Sequence, residues 1–424
     1  MNWLSGCDRP ARAAGLLLAL VCFAACGMSD SQSADTGEVR EYNVHYTLRP
    51  EPSAAVVAVE LQLEQPAGLL RELSFPADPN ITDITGDGVL QTYDGRVRWQ
   101  PPATGGRLAW RATVHHERGD GTFDALLTPD WGIFRMEDII PRARTRTLRG
   151  ARSRTTMTFD LPARWSAVTE YSAVTDPISV DRRGRRFDEP TGWMAVGKLG
   201  VRREDIAGTH VAVVGPLHHG VRRMDILALL NWTLPELNTI LPGGLPRLTV
   251  VSAAEPMWRG GLSAPASFYL HADRPMISEN ATSAVLHELM HVALGIRPAK
   301  GFDWIAEGLA EYYSIELLRR GRAITEERAV AAFAEQLDWS KGAETLCGDP
   351  SEAATTALAV TIFAALDREL RNSSGDAHDL DDLVPVLVNT EVNLDSLSQA
   401  ATELVGEKPE TLNSDQLPGC SSMS

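Results

Sequence analysis

Positive charge is in deficit in this 424-residue chain: 40 lysines and arginines stand against 56 acidic residues, a formal net charge of −16. A surface of that sign repels phosphate backbones, which argues against nucleic acid as a main partner and favours solubility. Long apolar runs are also missing. The run "AAGLLLALVCFAAC" near the N-terminus is too short to cross a bilayer as a mature helix. No internal repeat is visible, cysteine is limited to five residues, and no tyrosine follows Tyr313. What is present, 44% hydrophobic and 23% charged residues, is ordinary for a soluble globular protein, and the length predicts two or three domains.

Arg9 and Arg12 precede the apolar run, which suits the h-region of a signal peptide. Its end, "FAACG", resembles a bacterial lipobox, with Ala24 and Ala25 before Cys26 and Phe23 in place of the usual aliphatic residue. The resemblance implies removal of 1–25 and lipidation of Cys26, with 26–37 as a polar tether. Gly27 rather than aspartate after the cysteine implies the outer membrane, facing the periplasm. A plain secreted protein with a conventional cleavage site is the alternative. Cys7 and Cys22 then leave with the signal peptide. Cys347 and Cys420 remain as an even pair in an oxidising compartment and are expected to be joined.

From 38 to 205 the chain reads as strands. Val59, Leu61 and Leu63 alternate with Glu60, Gln62 and Glu64, the period of a half-buried strand. "RLAWRATVHHE" and "TTMTFDLPARWSAVT" are similar, and "TGDG", "YDG" and "ERGDG" supply turns. A β-sandwich domain is the simplest account. Within it, "PRARTRTLRGARSR" carries six arginines. It reads as a solvated loop in an acidic protein, in preference to a patch for anionic headgroups. His115 and His116 face opposite sides of a strand and share no metal. After 205 the texture turns helical, with a break expected near Pro235. "RLTVVSA" is a buried strand, and "SFYLHA" a second one, expected at a sheet edge.

Next comes "ATSAVLHELMHVALG". On a helix, His287 and His291 project from one face a turn apart and can grip one Zn²⁺. Glu288 lies beside the first ligand, where it can take a proton from a zinc-activated water. A catalytic zinc needs a third protein ligand and an open position. Glu307, in "DWIAEGLAEYY", is the leading candidate, because Gly295, Pro298 and Gly301 turn the chain between the two helices. Glu311, one turn further on, is the alternative ligand and is read as the partner that orients an imidazole.

"HELMH…WIAEGLAEYY" resembles the gluzincin pattern of aminopeptidase N-like zinc metallopeptidases, and the glycyl aminopeptidase family more closely. "TFDLPARWSAV", "RGGLSAPASFYL" and "FAALDRELRNSSGDAHDLDDLVPVL" are similar to further stretches of that family. The resemblance implies a multidomain α+β protein: an N-terminal β-sandwich (38–205), a thermolysin-like catalytic domain (206–325) and a helical C-terminal domain (326–424). It implies zinc held by His287, His291 and Glu307, with Glu288 as general base. Three departures stand out. Ser263 occupies the place of a glutamate that holds the substrate amine. Thr355 and Thr356 lie where a tyrosine would steady the oxyanion, which leaves Tyr312, Tyr313, His271 and His378 as candidate donors. The loop between His291 and Glu307 is shorter than in the aminopeptidase N relatives. The expected function is hydrolysis of a peptide or protein substrate by an enzyme held to the membrane through its lipid. The alternative is a zinc-binding, catalytically weak or inactive binding or scaffold lipoprotein. Glu288 favours the first, and the missing amine anchor and missing tyrosine favour the second.

Overall fold

The computed structural model describes residues 40–171, 176–180, 186–348 and 350–421. The expected signal peptide (1–25), Cys26 and the expected tether lie outside them.

The first half is built on three sheets rather than the two of a simple sandwich. A six-stranded sheet has the order 178–180, 151–159, 40–51, 56–64, 105–113, 81–86. Arg40–Glu51 pairs in parallel with Ala151–Phe159 and antiparallel with Val56–Glu64. A four-stranded sheet (144–147, 70–76, 96–100, 89–93) and a five-stranded one (166–168, 193–197, 131–135, 123–127, 115–117) complete it. Val59, Leu61 and Leu63 are buried with Trp99, Phe75 and Phe134 in one core drawn from all three sheets. The arginine-rich segment is mostly strand rather than loop, with Arg142 and Arg149 outside the strands. Arg144–Thr147 and Ala151–Phe159 are strands, and Arg146 and Arg154 pair with Glu72 and Glu41. The outward positions of an alternating strand are where charge costs least.

A second five-stranded sheet follows, in the order 199–206, 209–216, 247–253, 267–271, 261–264. A division at 205/206 would cut its first strand, so the change of architecture comes at about 198. Arg247–Ala253 is parallel to both neighbours and buried on both faces, which explains its unbroken apolar run. On one face the helix Arg223–Ile240 supplies Leu227, Leu230 and Leu234. On the other, Trp131, Ile133 and Trp193 pack with Val251 and Tyr269. The helix runs through Pro235 without ending. Burial of Leu229, Leu230, Leu234 and Leu237 around that turn outweighs the roughly 3 kcal/mol that an internal proline costs. "SFYLHA" is not at the edge. Ser267–His271 lies inside the sheet with all five residues buried, and Gly261–Ala264 forms the edge.

The remaining helices, Ala284–Leu294, Asp303–Arg320, Glu326–Trp339, Ala353–Ser374, Leu380–Leu387 and Leu394–Val405, share one core with the sheet. Leu309 and Tyr313 sit in the same cluster as Ala329 and Phe363, so the apolar interior is continuous across 325/326. Cys347 and Cys420 form a disulfide with their Cα atoms 5.0 Å apart, closing a loop of 73 residues. Opening it with Cys420→Ser is expected to cost about 2–4 kcal/mol, because a long loop regains much unfolded-state entropy. Urea unfolding of the two proteins under oxidising conditions measures it.

Candidate metal centre

The helix Ala284–Leu294 starts where Ser283 accepts a hydrogen bond from the Leu286 N–H, and its own hydroxyl donates to Met276 O at 2.6 Å. Val285, Leu286, Leu289 and Met290 are buried in the core. That anchoring leaves His287, Glu288 and His291 to line a cleft of about 610 Å³. The opposite wall is the helix Asp303–Arg320. Trp304 packs on Phe363, and a Cβ at Gly308 would lie 2.5 Å from the Ala359 Cβ. The glycine after Glu307 is therefore what lets this helix sit close enough to its neighbour Ala353–Ser374.

Three donor groups converge. His287 Nε2 lies 3.1 Å from His291 Nε2 and 3.3 Å from Glu307 Oε2, and His291 Nε2 lies 3.4 Å from Glu307 Oε1. Tetrahedral zinc with bonds of about 2.0–2.2 Å holds its ligand atoms about 3.3–3.5 Å apart, so these residues fit the ion. The donor chemistry agrees. Glu311 lies 2.9 Å from His287 Nδ1 and, as a carboxylate, can only accept, so Nδ1 carries the proton and the Nε2 lone pair is free. Two imidazole nitrogens and a carboxylate so close together call for a shared cation. Burial works against charging His287, but hydrogen bonds to Glu307 and Glu311 outweigh it and hold the imidazole up at about 10, so the cluster favours a positive charge at Nε2, a proton or a metal cation that displaces it. Burial would raise Glu307, yet its bonds to both histidines keep it well below the usual carboxylate range. Removing the orienting partner with Glu311→Ala is expected to weaken zinc binding about 10- to 100-fold, read by competition with a calibrated chelator.

Glu288 is 8% exposed, and burial raises its carboxyl above the ordinary glutamate value, partly offset by the two imidazoles. It packs against the edge strand: a Cβ at Gly261 would come within 2.6 Å of Glu288 Oε1. Trp193 holds that strand and its neighbour from behind, its indole donating to Leu262 O and its backbone N–H donating to the Ser267 hydroxyl oxygen, both at 2.7 Å. His271 N–H donates to Gly260 O. By alternation, the N–H and C=O groups of Gly261 and Ser263 turn away from the sheet, toward the cleft.

The remaining candidates lie elsewhere. Tyr313 is buried and donates to Asp381 at 3.0 Å. Tyr312 packs on Phe333 and lines a different cavity. His378 is 3.2 Å from Asp382 and 41% exposed in its side chain. None of these three lines the cleft. His271 is fully buried, with Nδ1 accepting the Asp273 N–H. It gathers with Glu255 and Asp273, but Arg259 pairs with both carboxylates and supplies the positive charge there. His116 turns to Asp124, while His115 packs on Phe123. The reading from sequence passed over Trp258, Arg274, Ser278 and Thr282, all of which line the cleft. Their only sequence signal is position: Trp258 just before the edge strand, and Arg274, Ser278 and Thr282 between the strand pair and HELMH.

No family model matches the sequence, and no curated protein does. Among solved structures, the chain is similar to the crystal structure of an aminopeptidase N family protein from Idiomarina loihiensis. The TM-score is 0.60 and the identity 14%, over 89% of this chain and 74% of that one. At that identity the likeness is one of fold: a multidomain α+β architecture shared with an aminopeptidase N family protein.

Proposed function

We propose that this protein is a zinc metallopeptidase of the gluzincin type, with His287, His291 and Glu307 as ligands and Glu288 as general base. The observation that carries this reading is the convergence of three donor groups, with atoms 3.1–3.4 Å apart, at the floor of a cleft bordered by an open strand edge. Zinc bound there supplies Lewis acidity to the scissile carbonyl and brings the pKa of water toward neutrality. Glu288 takes the proton of the attacking water and returns it to the departing amine. Its burial keeps proton affinity higher than that of a surface glutamate, which suits both halves of that exchange. Glu311 holds the His287 ring in the tautomer that leaves Nε2 free. Gly261 and Ser263 offer unpaired backbone groups on which an extended peptide can pair. The lipobox-like segment supports a further proposal, that the enzyme works at the cell envelope on a lipid anchor.

The rival reading, a zinc-binding scaffold with little activity, is favoured by one observation: no tyrosine lines the cleft. Metal analysis together with a peptide library tests both. One zinc per chain with cleavage supports the peptidase. One zinc without cleavage supports the scaffold, and a chain that takes up no zinc overturns both.

A further inference from the structure

We propose that Arg274 sets the substrate class: its guanidinium receives a carboxylate on the leaving-group side of the scissile bond, so the peptides cleaved carry a negative charge just C-terminal to the cut. This inference rests on the metallopeptidase reading above and names the substrate of the same site.

Among the described residues, Arg274 is the one lysine or arginine lining the cleft, where the other titratable side chains are the carboxyl groups of Glu288, Asp303, Glu307 and Glu311 and the two site histidines. Its backbone is held. The N–H donates to His271 O at 3.1 Å, and the Arg222 guanidinium donates to its carbonyl at 2.5 Å. The side chain is exposed and has no hydrogen bond or ion pair with the described residues. It lines the same cleft as Gly261, Ser263 and Glu288.

Strand direction decides which end of the substrate it meets. The edge strand is antiparallel to Ser267–His271, with Gly261 opposite Leu270 and Ala264 opposite Ser267. Arg274, four residues past Leu270, therefore lies beyond the Gly261 end, and Ser263 lies toward the other end. A peptide that adds antiparallel to the edge runs from Ser263 toward Arg274, with Glu288 between them at Gly261. At the amine end it meets a neutral hydroxyl. At the carboxyl end it meets a planar cation suited to bidentate capture of a carboxylate. The charge layout of the cleft thus favours reading the substrate from its C-terminal side.

The test uses the full zinc-loaded protein and matched peptides: free C-terminus against C-terminal amide, and Asp or Glu against Asn or Gln just after the cut. A charge-assisted pair is worth about 10- to 100-fold. Neutralising the carboxylate should lower kcat/KM by that factor in the wild type, through KM with kcat held. In Arg274→Ala the charged and neutral peptides should converge, with Arg274→Lys in between. Sensitivity to amidation assigns the free C-terminus as the source, and sensitivity to Asp→Asn or Glu→Gln assigns an acidic side chain. Calorimetric binding of the same peptides to Glu288→Gln gives a readout free of turnover. Equal kcat/KM and binding for charged and neutral peptides overturn the proposal. So does an equal fall in kcat on every peptide in Arg274→Ala, which would put the guanidinium at the reacting carbonyl instead. If the wild type cleaves nothing, the metallopeptidase reading fails, and the calorimetry still decides whether Arg274 binds carboxylates.

Discussion

Glu288→Gln is expected to keep one zinc per chain and to lower kcat by about 10²- to 10⁴-fold, the range typical of a lost general base. The amide nearly matches the carboxylate in shape, so the contact with Gly261 survives. Glu288 is not among the three converging donors, so metal uptake has no reason to change. What disappears is the ability to take and return a proton. The substitution therefore separates metal binding from chemistry. Zinc content by atomic emission and initial rates on one cleaved peptide give the result. Equal rates in the two proteins would remove Glu288 from the mechanism.

His291→Ala should do the reverse, removing the metal and the activity together. It deletes one of three ligand atoms and leaves His287 Nε2 and Glu307 3.3 Å apart with no third donor. The loss in zinc affinity should exceed the ~10–100-fold expected at Glu311, because a ligand contributes more than the group that orients it. Stability supplies an independent readout. A ligand that binds only the native state at about 1,000 times its Kd adds roughly 4 kcal/mol. Wild-type protein should melt higher with zinc than after chelation, and His291→Ala should show the same melting temperature in both. A zinc-dependent rise retained in the variant would move the metal away from this site.

What could be read without coordinates was mostly local. A helix advances by a fixed angle per residue, so H-E-x-x-H already implies two imidazoles side by side. Strand alternation at Val59, Leu61 and Leu63 is local in the same way. Elsewhere the local signal was true but incomplete. The apolar run of Ser267–His271 says that the strand is buried, yet burial does not name its neighbours, and it proved interior rather than edge. Pro235 predicts a break when the helix is considered alone, but the sheet beneath it holds the helix together. The arginine-rich segment looks like a loop until the partners of Arg146 and Arg154 across the sheet, Glu72 and Glu41, come into view.

Spacing along the chain was therefore enough for the chemistry carried on one helix: a pair of imidazoles with a carboxylate beside them. Packing decided the rest. It brought Glu307 and Glu311 to those imidazoles, set Glu288 against Gly261, took Tyr312, Tyr313, His271 and His378 out of the cleft, and put Arg274 in it. The reason is physical. Helix periodicity follows from backbone geometry within a few residues, whereas a cleft wall is set by contacts between residues far apart in the chain, and a lone arginine in a loop carries no periodicity that would announce them.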